Sequence, residues 1–168
     1  FISIAAYFEL TDVESPTVID LKNALYSVQK YSRGQNIYQE IKNFYDLWEK
    51  PIFLGELGAP SKRGAANEPW SEHWDQPDDY LTQAYLFQAY REVFAEEEWF
   101  KGFSVWQISY PNSYYYPIDK IAEKAIYNFY GNLYPSDGGP RRFGDMLYNL
   151  LPEIYKREDA KVAPIPYP

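Results

Sequence analysis

The sequence contains no cysteine. Disulfides, thiolate nucleophiles and cysteine metal sites are therefore excluded together. It contains a single histidine, His73. A lone histidine with no second His or Cys is a poor metal centre. No apolar run approaches the about 18 residues that a membrane-spanning helix needs. Basic residues are the minority, with Lys and Arg totalling 16 against 24 Asp and Glu, for a formal net charge of -8. A nucleic-acid binder usually carries a basic patch, and none is visible. Nucleic acid and anionic membranes are thus not expected as partners. The longest charge run, Glu96-Glu97-Glu98, reads as a solvated helix end. No segment resembles a signal peptide, and the sequence assigns no compartment.

What is abundant is aromatic. Trp 5, Tyr 18 and Phe 10 make up 20% of the chain, which excludes intrinsic disorder as a description of the whole. A length of 168 residues suffices for one sizeable core.

Periodicity organises the chain. The run 1–7 (FISIAAY) is apolar almost throughout and predicts a strand buried on both faces. A chain that opens on such a strand suggests a missing segment upstream. Thr17 is a helix N-cap, with the helix over Val18–Tyr31 and a stop near Gly34. In the helix Asn36–Trp48, the residues Ile37, Ile41, Phe44, Tyr45 and Trp48 share one face. Pro51–Gly58 (PIFLGELG) predicts a second buried strand with an acid near its C-terminal end and a glycine that permits a sharp exit. A long loop follows over Ala59–Pro77, and loops of that length are usually functional. Asp78 or Asp79 caps a helix running to about Glu98. Gly102–Ile108 is the third strand, Tyr110–Tyr116 an aromatic loop, and Ile118–Tyr130 a helix with Ile121, Ala122, Ala125, Ile126 and Phe129 inward. Pro135–Pro140 reads as a turn, Phe143–Tyr155 as a last helix, and Val162–Pro168 as an extended proline-rich tail. Strands alternating with helices predict an α/β fold with a parallel sheet.

In parallel α/β architectures, sites gather at the C-terminal ends of the strands. Those ends offer Tyr7 with Glu9, then Glu56, then Trp106 with Gln107. A carboxylate there can attack an anomeric carbon. A tyrosine hydroxyl can hydrogen-bond that carboxylate and keep it ionised and oriented, and an indole face stacks on the apolar face of a pyranose. By spacing alone, Glu56 serves structure as readily as function, Trp106 serves core packing as readily as sugar binding, and core packing is the favoured reading of Tyr7. An acid ending an apolar strand tips the balance toward function. Trp70 and Trp74, in the long loop, are harder to explain as core.

At these residues the sequence resembles the family 113 glycoside hydrolases, β-mannanase-like enzymes of the (β/α)₈-barrel clan of retaining glycosidases. The run Pro51–Gly58, followed by Gly64-Ala65-Ala66 and Glu68-Pro69-Trp70, resembles the strand-seven region. Trp99–Trp106 resembles strand eight, Ile121–Ile126 with Phe129-Tyr130 the closing helix, and Ile4–Leu10 strand six. The likeness spans about Ile2 to Tyr130, and the order of the pieces carries it more than any one motif.

The resemblance implies a fold and a chemistry. The fold is a partial (β/α)₈ TIM barrel: about three C-terminal β/α units, strands six to eight, plus a C-terminal helix. Residues 1–158 would be barrel and 159–168 a tail. Glu56 matches the catalytic nucleophile, with Tyr7 a weaker match to an aromatic residue beside it. Trp106 matches the stacking tryptophan, Gln107 follows it, and Trp70 falls in a loop bordering the substrate cleft. The implied substrate is a β-linked polysaccharide such as mannan, with no metal or organic cofactor. In that clan the acid/base glutamate ends strand four, and a complete barrel needs about 250 residues. The Asn67-Glu68 pair matches the acid/base dipeptide of many barrel glycosidases, but its place in the loop after the second strand is wrong for that role. Strands one to five are therefore expected outside these residues. Two rival readings stand beside the hydrolase. One is a non-catalytic carbohydrate-binding half-barrel. The other is a fragment whose open strand edges pair with the missing N-terminal half or with another copy.

Overall fold

A computed structural model describes residues 1–28, 34–108 and 112–133. Three parallel strands lie side by side in the order β1 (Ile2–Ala5), β2 (Ile52–Leu57), β3 (Phe100–Val105). The connections carry α1 (Val18–Tyr26) and α2 (Ile37–Trp48), then α3 (Tyr80–Phe94), and α4 (Ile121–Leu133) follows β3. The expected turn at Pro135–Pro140, the helix Phe143–Tyr155 and the tail lie outside the described residues.

Helices cover one face of the sheet. Ile52, Leu54 and Leu57 of β2 are fully buried. Phe103 of β3 stacks on Phe87 of α3 with ring centroids 5.7 Å apart and meets Phe129 of α4 at 4.6 Å. Phe94, Trp99 and Phe100 continue the cluster. Much of the aromatic excess is therefore core, where such rings bury large areas. The other face is uncovered among the described residues. Ser3 and Ala5 are exposed, Phe53 and Gly55 half-buried, and Phe1 lies edge-on to Phe53 at 6.0 Å. The expectation that β1 is buried on both faces is thus corrected. β1 is an edge strand with helices on one side, so its burial alternates.

Register shifts interrupt both strand pairs, one between β1 and β2 and two between β2 and β3. Along β2, strict alternation would set Glu56 on the side of Ile52 and Leu54. Ile4 pairs with Leu54, but Ala5 pairs with Glu56, so β2 holds one extra residue there. The shift moves Glu56 to the uncovered face and returns Leu57 to the core. A similar shift in β3 lets both Phe100 and Phe103 face the helices, with Gly102 at φ +103. That conformation suits glycine alone.

Several boundaries differ from the sequence expectation, each for a local reason. α1 stops at Tyr26, not Tyr31. The Ser27 hydroxyl donates to the Asn23 carbonyl at 2.5 Å, and the Asn36 side-chain amide donates to the Tyr26 carbonyl, so the last carbonyls are already satisfied. Asn36 also caps α2, its Oδ1 accepting from the Gln39 amide at 2.9 Å. Asp79, rather than Asp78, caps α3, accepting from the Thr82 amide at 3.0 Å. α3 ends at Phe94 and not near Glu98, because tight turns from Phe94 and Glu97 lead straight into β3. β3 accordingly begins at Phe100 and ends at Val105, where β2 runs out as a partner. α4 begins at Ile121 rather than Ile118, since turns over residues 117–120 precede it. On α2, Ile37 and Ile41 are buried and Tyr45 stacks on Trp99 at 5.7 Å. Phe44 and Trp48 are exposed instead and pair with each other, because α2 lies at the outside of the packed layer.

Gly58 was expected to permit a sharp exit. Its actual constraint is close approach: a Cβ there would sit 2.0 Å from the Trp106 carbonyl oxygen. At Gly55 a Cβ would meet the Ser3 hydroxyl at 2.2 Å, which a side-chain rotation relieves. Gly58→Ala should therefore destabilise the chain by about 1–3 kcal/mol, and Gly55→Ala by less than about 1 kcal/mol. Urea unfolding midpoints of the two variants check this, and equal midpoints would refute the assignment of the constraint to backbone.

Candidate active site

The C-terminal end of the sheet brings three of the sequence-predicted residues to one place in the fold. Tyr7 follows β1 by two residues, Glu56 is the fifth residue of β2, and Trp106 directly follows β3. The Tyr7 hydroxyl donates to Glu56 Oε2 at 3.0 Å. The Ala6 amide donates to the Glu56 carbonyl at 2.7 Å, which fixes Tyr7 against β2. Burial pushes the Tyr7 phenol far above its ordinary pKa. The hydrogen bond to Glu56 and the Glu56 charge push the same way, and Tyr115 contributes further. The hydroxyl therefore stays protonated and remains a donor to the carboxylate.

Trp106 is held by its backbone rather than by its ring. Its amide donates to the Leu57 carbonyl at 2.9 Å, and its carbonyl lies against Gly58. The Trp106–Gln107 peptide bond is cis. Trp106 is 41% exposed beside the sheet end. Gln107 turns to the following loop, its amide donating to the Ser113 hydroxyl at 3.5 Å. Trp70 is also exposed, and it sits in the loop after β2.

Residues that the sequence reading did not single out tie these loops together. Tyr115 is buried in the loop after β3, and its hydroxyl donates to the Pro69 carbonyl at 2.6 Å, immediately before Trp70. Gln83 of α3 is fully buried. Its amide donates to the carbonyls of Ala59 at 2.8 Å, Tyr115 at 3.0 Å and Tyr114 at 3.2 Å. One side chain thus grips both loops. The Lys120 ammonium, half-buried, donates to the Tyr114 carbonyl and the Ser61 hydroxyl, both at 3.1 Å. Burial lowers its pKa, partly opposed by the charges of Asp78 and Glu72. A glutamine and a lysine amid apolar neighbours were the available signals, but their partners are too distant in sequence to read from spacing. His73 meets the Glu68 carbonyl through Nε2 at 3.0 Å. No group of three or more His, Asp or Glu able to hold a metal ion occurs among the described residues.

The arrangement is an oriented carboxylate on the open face of a parallel sheet, with exposed indoles on the loops around it. That is a suitable constellation for a nucleophile and sugar-stacking surfaces.

Comparisons with known proteins place the chain in a family. The family model of Glycoside Hydrolase Family 113 matches residues 5–132. A GH113 β-1,4-mannanase solved as a complex is similar with a TM-score of 0.54 at 22% identity, covering 77% of this chain and 38% of that one. A further GH113 β-1,4-mannanase structure has a TM-score of 0.50 at 25% identity, covering 63% and 36% respectively. The GH113 β-mannanase AaManA from Alicyclobacillus acidocaldarius, in complex with ManMIm, has a TM-score of 0.51 at 24% identity, covering 66% and 37%. No curated protein matches the chain significantly. This chain therefore spans well under half the length of the mannanases whose fold it shares. With the family model matching most of its residues, the chain belongs to glycoside hydrolase family 113.

Proposed function

We propose that the chain is the nucleophile-bearing portion of a retaining β-mannanase, equivalent to strands six to eight of a (β/α)₈ barrel, with residues 1–158 forming that portion and 159–168 a tail. The observation that carries the reading is the hydrogen bond from Tyr7 to Glu56 on the uncovered face of the sheet. In a closed barrel that face would be the interior, and the strand ends the floor of the cleft.

The chemistry follows from the geometry. Glu56 attacks the anomeric carbon, the glycosidic C–O bond breaks, and a glycosyl ester forms on the carboxylate. Tyr7 engages Oε2, so we assign the attack to Oε1. Tyr7 holds the carboxylate in one orientation and, as a neutral donor, favours its ionised form. Trp106 stacks on the sugar ring bound at the reacting position, and Trp70 and Gln107 line the cleft beside it. A retaining mechanism needs a second carboxyl group about 5–5.5 Å from the first, which protonates the leaving oxygen and then activates water. We assign that group to a segment outside these 168 residues, supplied by the N-terminal part of the barrel.

A substrate with a good leaving group tests the assignment on this chain alone. A 2,4-dinitrophenyl 2-deoxy-2-fluoro-β-mannobioside needs no protonation to depart, so the missing acid does not block the first step. The ester should accumulate, and mass spectrometry of the digest should find it on the peptide containing Glu56. Glu56→Gln should abolish it while leaving oligosaccharide binding intact. A label on another residue would remove Glu56 as nucleophile. Binding without any ester would favour the non-catalytic carbohydrate-binding half-barrel.

Trp106→Ala should weaken mannooligosaccharide affinity by about 1–3 kcal/mol, by analogy with other aromatic stacking platforms. Calorimetric titration reads this directly, and unchanged affinity would take Trp106 out of the cleft.

Tyr7 makes a pH prediction. Its folded-state pKa is raised, so above the ordinary tyrosine value of about 10 the folded chain keeps a proton that the unfolded chain releases. The associated stability is present below that value and is lost as pH rises through the folded pKa. Tyr7→Phe should therefore flatten the alkaline fall in stability and slow the labelling of Glu56. Denaturation series from neutral to alkaline pH, with an identical slope in both proteins, would contradict the coupling.

A further inference from the structure

Trp74 is 71% exposed, which is unusual for a residue type that is highly buried on average. The loop that carries it is not loose. Its two ends are joined by a bridge between Lys62 and Asp78, by their ion pair at 2.8 Å, and by the Arg63 amide donating to the Pro77 carbonyl at 3.0 Å. Inside it, the Ser71 amide donates to the Glu68 carbonyl at 2.9 Å and the Gln76 amide to the His73 carbonyl at 3.0 Å. His73, directly before the tryptophan, sits at φ +50, a region that is uncommon for residues other than glycine. The loop thus holds a costly backbone conformation next to an indole that it leaves in solvent. Observed strain of this kind is a reason to look for function.

The indole is also braced. Its ring lies edge-on to Tyr114 at 5.3 Å and 73°. The Lys62 ammonium lies 4.0 Å from the centroid of the Tyr114 ring, and Lys62 is itself buried. Asp78 is half-exposed beyond it and accepts from the exposed Tyr80 hydroxyl at 3.3 Å. The result is one flat exposed ring with hydrogen-bonding groups nearby, not a broad apolar patch. A pyranose has the matching character: one face of C–H groups and a rim of hydroxyls. Tyr114 adjoins Tyr115, whose hydroxyl bonds the Pro69 carbonyl next to Trp70, so the platform belongs to the loops that carry the candidate cleft's aromatics.

We propose that Trp74 and Tyr114 form an outer sugar platform that takes a pyranose unit of a long β-linked oligosaccharide, remote from the unit that reacts at Glu56. The inference rests on the reading of the site as a glycan cleft. It adds that the cleft selects for chain length.

Calorimetric titration of the full 168-residue chain with mannohexaose and mannobiose tests it. Trp74→Ala should weaken hexaose binding about fivefold or more and leave biose binding unchanged. Trp74→Tyr should retain most of the hexaose affinity. His73→Val keeps the indole but disfavours the left-handed backbone, and it should weaken hexaose binding as well. Wild-type hexaose affinity in Trp74→Ala would overturn the platform and leave the glycan reading standing. Equal losses for both sugars would overturn its outer position. Failure of the unaltered chain to bind either sugar would overturn the platform and the glycan reading together.

Discussion

A carboxylate on an apolar strand must be brought to polar surroundings or paired, because burying its charge among hydrocarbon is costly. In this chain the extra residue at Gly55–Glu56 meets that constraint. It turns Glu56 away from the side occupied by Ile52 and Leu54 and toward the uncovered face. The same shift lets Leu57 resume the buried pattern, so the strand gives up no core contact in exchange. The Tyr7–Glu56 hydrogen bond depends on this placement. So does the approach of Trp106, because the Leu57 carbonyl that receives its amide and the Gly58 that makes room for its carbonyl follow directly from the shifted residue.

The one-sided sheet gives that arrangement its meaning. Parallel sheets are ordinarily covered on both faces. Here α3 and α4 cover one face through the ring cluster of Phe87, Phe94, Phe100, Phe103 and Phe129, while Ser3, Ala5, Phe53 and Gly55 remain uncovered. Ser3, Ala5 and Gly55 are small, and Phe53, half-buried, is the one large apolar side chain among these four. Such a face suits a barrel interior, where facing strands supply the remaining side chains.

Much of this was legible in the sequence. The apolar runs around Ile2–Ala5 and Ile52–Leu57, the Thr17 cap and the inner stripe of α4 follow from periodicity and capping chemistry, and the structure contains them. Glu56 stood out as an acid within an apolar strand. Its direction did not, since alternation alone points it the wrong way and a register shift leaves no local mark. Boundaries failed where a distant side chain decided them. Asn36 ends α1 by bonding the Tyr26 carbonyl, a link made in space that no propensity at residues 26–31 encodes. Phe44 and Trp48 fitted the helical stripe of α2 but are exposed, because periodicity identifies a face and not the presence of something to cover it.

Gln83 carries the remaining link between fold and site. A buried amide has two N–H donors to place, and an unplaced one is costly. Gln83 lies on the buried side of α3, and its donors reach the carbonyl just past the Glu56 strand and two carbonyls of the loop that follows Trp106. Any motion that separates the two loops would break those bonds, two of them buried. Tyr115 adds a second tie by bonding Pro69 next to Trp70. The carboxylate, the indole beside it and the loop bearing Trp70 and Trp74 are thereby linked to one helix. Their relative positions are a property of core packing rather than of loop conformation. A cluster assembled from loops can in this way keep a fixed geometry.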